Sequence, residues 1–151
     1  MKLPNRDFAA KGRGAAQGCA IFFFCGQDEA GASAAANDLA TWLAEPGERV
    51  EMSGADLRSD PAKLGDEART TSLFGDRRHI WVRASGDEAH EALKVLVETG
   101  EAGAGEACPV IVVATSATDK SRSAKLLEKR KDALVAMFYP PDLQSVTRSV
   151  R

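Results

Sequence analysis

The sequence predicts an α/β fold, a five-stranded, mainly parallel sheet with flanking helices. Three observations lead there. Short apolar runs recur at Cys19–Cys25, Val110–Ala114 and Leu134–Tyr139, with mixed runs at Arg49–Met52 and Arg78–Arg83. The stretches between them carry apolar residues at helical spacing. The runs Cys19–Cys25 and Val110–Ala114 do not alternate, which marks strands buried on both faces, as in parallel sheets. Strand followed by helix, repeated about five times, is the pattern of a parallel sheet between helical layers.

Each element has its own reason. Cys19–Cys25 is apolar throughout and ends at Gly26. The Ala-rich stretch Glu29–Ala44 carries Leu39, Trp42 and Leu43 at i, i+3, i+4 spacing, a helix with one buried stripe. Glu45-Pro46-Gly47 stops it. Arg49–Met52 alternates, which predicts a half-exposed strand at a sheet edge. After a turn at Ser53-Gly54, Asp60-Pro61 reads as N-cap and first residue of a helix to about Arg69. Arg78–Arg83 is a third strand. Asp87 is expected to cap the helix that follows, whose Ala89, Leu93, Leu96 and Val97 share a face. Val110–Ala114, rich in β-branched residues, is expected to be the most central strand. Lys120–Asp132 reads as a charged helix with Leu126 and Leu127 inward. Leu134–Tyr139 is a fifth strand, and Pro140 opens a last helix with Leu143, Val146 and Val150 at helical spacing.

Composition limits the function. The 151 residues fit one domain, and 44% hydrophobic with 28% charged residues fits a globular chain. Twenty basic against 22 acidic residues give a net charge of −2, which excludes a surface that is basic all over, as a general nucleic-acid binder needs. The apolar runs are far shorter than the ~18 residues of a membrane span. Residues 1–17 are basic without an apolar signal core, so they read as a flexible N-terminal arm to a domain at 18–151, in a cytoplasmic protein without membrane contact. Cys19, Cys25 and Cys108 are odd in number and match no zinc spacing, so they read as reduced thiols, with no metal site. His79 and His90 are isolated and read as structural. No catalytic residue is found.

Two segments carry functional signal. The first is Gly26-Gln27-Asp28-Glu29-Ala30-Gly31-Ala32-Ser33, between a buried strand and a helix, which is the context of a phosphate-binding loop. The Gly-x-x-x-x-Gly spacing is intact, and Ser33 holds the Ser/Thr position. Ala32 stands where the lysine that reaches the phosphates would be. Asp28 and Glu29 add negative charge where an anion would approach. The loop therefore reads as a degenerate nucleotide loop whose glycines serve a tight turn, with no cofactor. The second segment is Ser72-Leu73-Phe74-Gly75-Asp76-Arg77-Arg78. Two large apolar side chains sit among polar and turn residues. They either fold back into the core as a staple or form an apolar plug for a partner's pocket.

With these residues the chain resembles the N-terminal domain of the delta subunit of the bacterial DNA polymerase III clamp loader. The resemblance runs over residues 18–150. It rests on the lysine-free loop after an apolar first strand, on Gly54-Ala55-Asp56-Leu57, and on Asp60-Pro61-Ala62-Lys63-Leu64. It continues through Ser72-Leu73-Phe74-Gly75 directly before Arg77-Arg78-His79-Ile80-Trp81-Val82-Arg83, and on to Tyr139-Pro140. It implies an AAA+/RecA-like P-loop NTPase core with a degenerate nucleotide site and no ATPase activity of its own, in a DNA-directed DNA polymerase (nucleotidyltransferase) holoenzyme. It implies that Leu73 and Phe74, with Ser72 and Gly75 around them, bind the beta sliding clamp and help open the ring. Arg77, Arg78 and Arg83 are candidate rim cations. The family's chains also carry a lid and a collar domain, through which the other loader subunits join; this chain stops at Arg151 and is expected to be the first domain alone. The basic stretch Lys120–Lys131 is open to two readings, a solvated helix face or a DNA contact. Two further alternatives stand: a P-loop-fold enzyme with an unorthodox nucleotide site, and an unrelated small α/β interaction domain with Leu73 and Phe74 in its core.

Overall fold

Phe22, Phe23 and Phe24 stand in a row and are all fully buried, so the strand that holds them needs cover on both faces. The computed structural model describes residues 2–43, 47–69, 78–103, 107–115 and 121–138. Its elements are β1 (Lys2–Pro4), α1 (Asn5–Gly18), β2 (Ile21–Cys25), α2 (Glu29–Trp42), β3 (Glu48–Ser53), α3 (Gly54–Ser59), α4 (Ala62–Arg69), β4 (Arg78–Ala84), α5 (His90–Glu101), β5 (Val110–Ala114), α6 (Arg122–Glu128) and β6 (Ala133–Met137). The strands form one six-stranded sheet in the order β1-β6-β2-β5-β4-β3, parallel throughout. This is an α/β architecture compatible with a Rossmann or P-loop-like core. Among the described residues, no helix is long and apolar enough to cross a membrane.

The pleat divides the core. Ile21, Phe23, Ile80, Val82, Val110, Val112 and Val135 meet Leu57, Leu64, Leu93, Leu96 and Leu127 of α3–α6 on one face. Phe22, Phe24, Trp81, Ile111, Val113 and Leu134 meet Phe8, Ala36 and Leu39 of α1 and α2 on the other. The unbroken apolar composition of β2 and β5 follows from this, since the two strands pair with each other at the middle of the sheet. As expected, β3 is an edge strand. Arg49 lies over the Trp81 ring at 4.1 Å and donates to Asn37 Oδ1 at 3.2 Å, which gives that edge a charged cover.

The flexible arm expected at residues 1–17 is corrected. Lys2–Pro4 is a sixth strand, in register with Val135–Met137, and Asn5–Gly18 is a helix. Tertiary packing overrides three glycines of poor helix propensity here. The Phe8 ring sits 5.6 Å from Phe24, 5.7 Å from Phe138 and 5.5 Å from Trp42. Gly12 is required, because a Cβ there would lie 2.7 Å from the Trp42 ring. Arg13 stacks on that ring, and Gln17 Nε2 donates to the Trp42 carbonyl at 2.7 Å.

Three smaller differences have local causes. The Gly54 turn is a short helix, α3, which Ser53 caps by accepting from the Asp56 amide at 3.1 Å. The helix expected over Lys120–Asp132 spans Arg122–Glu128, and of its two inward leucines only Leu127 is fully buried. Cys19 lies outside the strand, and its amide closes α1 on the Ala15 carbonyl. The helix expected after Pro140 lies outside the described residues. If α1 is part of the core, Phe8→Ala lowers unfolding free energy by about 3–5 kcal/mol, read by urea denaturation; for a loose arm the change stays under about 0.5 kcal/mol.

Candidate functional site

Because all strands run the same way, the sheet has two distinct ends. Ligands of open α/β sheets lie at the carboxyl end, where the Gly26–Ser33 loop joins β2 to α2. Gly26 has φ +112°, and a Cβ there would run into the Phe138 backbone. Phe138 bonds the loop on both sides: its amide donates to the Cys25 carbonyl at 2.8 Å, and its carbonyl accepts from the Asp28 amide at 3.0 Å. The Asp28 carboxylate then turns onto the first turn of α2 and accepts from the Gly31 amide at 3.0 Å. A Cβ on Gly31 would strike that carboxylate.

The four loop residues singled out in the sequence are thus brought together, in a junction lined by carbonyl and carboxylate oxygen. The positive end of the α2 dipole faces the chain's own Asp28. Ala32 is fully buried against the sheet, and Ser33 is partly exposed. An anion there would have to displace Asp28.

Elsewhere at the carboxyl end, among the described residues, carboxylates again take up backbone amides. The Asp87 carboxylate was expected to cap its own helix, and that is corrected. It reaches 35 residues ahead and accepts from the Arg122 and Ser123 amides, each at 3.2 Å, while Ser121 Oγ accepts from the Ala124 amide. Three of the four open donors of α6 are so satisfied. Burial alone would raise the Asp87 pKa, but the Ser123 hydroxyl and these two amides bring it below the usual carboxylate range. Glu88 accepts from the Ser85 amide and hydroxyl, both at 2.9 Å, and from the Gly86 amide. Against a burial effect that would raise it, these bonds hold its pKa at about 2.

At the opposite, amino end of the sheet α4 ends at Arg69 and β4 begins at Arg78, on either side of residues 70–77. Ser72, Leu73, Phe74, Gly75 and Arg77 lie outside the described residues, but both stems of the segment are described. Arg78, the first residue of β4, does not project outward. Its Nη2 donates to the Glu67 backbone carbonyl and lies 3.3 Å from the Glu67 carboxylate, and its side chain is 18% exposed. Arg83 is exposed and pairs with Glu51 across the β3 edge at 3.2 Å.

Beside these stems is a cleft of about 240 Å³ with Leu96, Val97, Cys108, Arg69 and Arg130 on its walls. Arg130 pairs with Asp132 at 2.9 Å and Glu101 at 2.6 Å. Burial raises the Cys108 thiol pKa, so it is a poor nucleophile at neutral pH. Cys19, Cys25 and Cys108 form no disulfide, and among the described residues no group of His, Cys, Asp and Glu could hold a metal ion. The basic faces of Arg122, Lys125 and Lys129 on and after α6 are exposed.

No protein-family model matches this chain, and no curated protein matches it in sequence.

Two roles were not foreseen from sequence, the Asp28 cap and the Arg78–Glu67 tie. Asp28 three residues before Gly31 is a readable N-cap spacing; the second is a contact across the 70–77 segment, with no local signal. The lowered pKa values carry a test. Glu88 stabilises the fold above its unfolded pKa near 4.5 and loses that effect as pH falls toward its folded value of about 2. Glu88→Gln therefore destabilises at pH 6 and converges with wild type near pH 2, as read from urea midpoints across that range.

Proposed function

We propose that this chain is a clamp-loader domain without catalytic activity, of the delta-subunit type. In this reading it binds one protomer of the beta sliding clamp through Leu73 and Phe74 and helps open the ring during DNA replication. The observation that carries the reading is the pairing of two features. A loop in the phosphate-binding position is filled by its own carboxylate, and an apolar Leu-Phe pair stands in the sequence between α4 and β4. The all-parallel sheet with the loop-bearing strand at its centre supports an AAA+/RecA-like core. Asp28 on the Gly31 amide and the buried Ala32 support a domain that does not work on nucleotides.

The mechanism needs no bond to be made or broken. Burying a Leu and a Phe side chain is worth roughly 1.5–3 kcal/mol each. Together they supply roughly a third to three quarters of the ~8 kcal/mol of a micromolar complex. In this reading the domain presents the pair, and the ring opens only to the extent that the domain prefers the open protomer shape over the closed one. Other loader subunits would join through the lid and collar domains of the family.

Titration calorimetry with the sliding clamp of the same organism tests this. Wild type is expected to bind at micromolar Kd or better. Leu73→Ala/Phe74→Ala is expected to lose about 2 kcal/mol or more while its melting temperature holds. A double variant that unfolds instead would put the pair in the core and favour an unrelated interaction domain. Saturable ATP binding by the wild type would favour a nucleotide enzyme.

A further inference from the structure

The sheet ends on two unlike edges. β1 is three residues long and closes on Pro4, and both features blunt an edge. β3 runs for six residues, Glu48–Ser53, without a proline, and pairs with β4 along its whole length. The register settles which of its backbone groups face outward. The Ile80 amide donates to the Pro109 carbonyl at 2.9 Å, and the Ala84 carbonyl accepts from the Thr115 amide at 3.3 Å, so the even residues of β4 turn to β5. The N–H and C=O of one strand residue leave on the same side, and the side alternates along the strand. His79, Trp81 and Arg83 therefore turn to β3, where Glu48, Val50 and Met52 supply their partners. Arg49 and Glu51 are left with amides and carbonyls directed away from the sheet. Among the described residues, no strand lies beyond β3 and no turn or loop bonds to those groups.

We propose that this edge pairs with the same edge of a second copy of the chain, as an antiparallel β3–β3 ribbon with its two-fold axis at Val50. Charge selects both the partner and the register. In an antiparallel pair, two outward-facing residues that stand opposite each other exchange both of their bonds. With the axis at Val50, Arg49 stands opposite the partner's Glu51, and Glu51 opposite the partner's Arg49. The outward amides and carbonyls of both residues are then satisfied, and two opposite-charge pairs form on one face of the ribbon. On the other face Val50, which is half-buried, meets the partner's Val50. Moving the axis to Arg49 sets two arginines face to face, and moving it to Glu51 sets two glutamates; like charges directly opposite are destabilising. The side chains are already held at the edge. Arg49 lies 4.1 Å over the Trp81 ring with one nitrogen on Asn37, and Glu51 Oε1 lies 3.2 Å from Arg83. The Arg49 guanidinium has further donors and the Glu51 carboxylate a second oxygen for the partner. The same charges make the edge a poor template for an apolar strand. The contact is self-complementary, so it closes at two copies.

Sedimentation of the full chain at low salt tests this. Wild type is expected to pass from one copy to two between about 10 and 500 µM. Arg49→Glu and Glu51→Arg each turn the opposed pairs into like-charged ones, and each is expected to weaken self-association about tenfold or more. An equal mixture of the two variants is expected to pair again, because opposed positions then carry opposite charges. Amide exchange gives a second readout on wild type alone. The Arg49 and Glu51 amides are expected to slow as concentration rises, while those of Val50 and Met52, bonded to β4, are slow throughout. A wild type that stays single to about 500 µM, or that dimerises with Arg49 and Glu51 exchange unchanged, overturns the proposal. So does a dimer that both reversals leave intact, or a mixture that fails to pair while each variant melts as wild type does. If a reversal lowers the melting temperature, the wild-type amide exchange decides.

Discussion

Burial of Phe22, Phe23 and Phe24 on two faces of one central strand is the constraint on which the rest of the molecule depends. An odd and an even phenylalanine cannot share a helix layer, because successive side chains of a strand leave on opposite sides. Two layers are therefore required. The chain supplies them unequally, with α1 and α2 on the Phe22–Phe24 side and four shorter helices on the Phe23 side. The first strand and helix belong to this solution, since Phe8 fills the space between Phe24, Phe138 and Trp42.

Closing the sheet in this way leaves its two ends chemically different. At the carboxyl end, helix and loop amides point toward the place where an anion would enter, and in each described junction the chain answers them with its own oxygen. Asp28 meets Gly31, Asp87 meets Arg122 and Ser123, and Glu88 meets Ser85 and Gly86. These bonds do for the fold what a bound phosphate does for a nucleotide site. At the amino end, the carbonyls of α4 are met by Arg78 and by the Cys108 amide, which ties a helix and two strand starts together beside residues 70–77.

Much of this was legible in the sequence where the signal is local. β2 and β5 could be read because a strand buried on both faces has no polar alternation to confuse it. The α2 and α5 helices declared themselves by their apolar spacing, and the β3 edge by its alternation. Elements held by distant partners were not legible. The α1 helix has Gly12, Gly14 and Gly18, each costly in isolation, and the Trp42 and Phe8 rings explain the first. Asp87 has the spacing of a local cap, yet its carboxylate is used by α6, which no pattern within its own segment could reveal. For the candidate site, the missing lysine at Ala32 and the Leu73–Phe74 pair stand in the sequence itself. The occupation of the loop by Asp28 and the inward turn of Arg78 emerge only when the chain is folded.

Amide shift mapping on the labelled protein tests the central claim most directly, because it reads both ends of the sheet at once. The account predicts that millimolar ATP leaves the Gly26, Asp28, Gly31 and Ser33 amides unmoved. It predicts that the sliding clamp perturbs amides around the Arg69 and Arg78 stems and Cys108. Shifts of the Gly26–Ser33 amides on adding ATP, or clamp-induced shifts confined to the carboxyl end of the sheet, would contradict it.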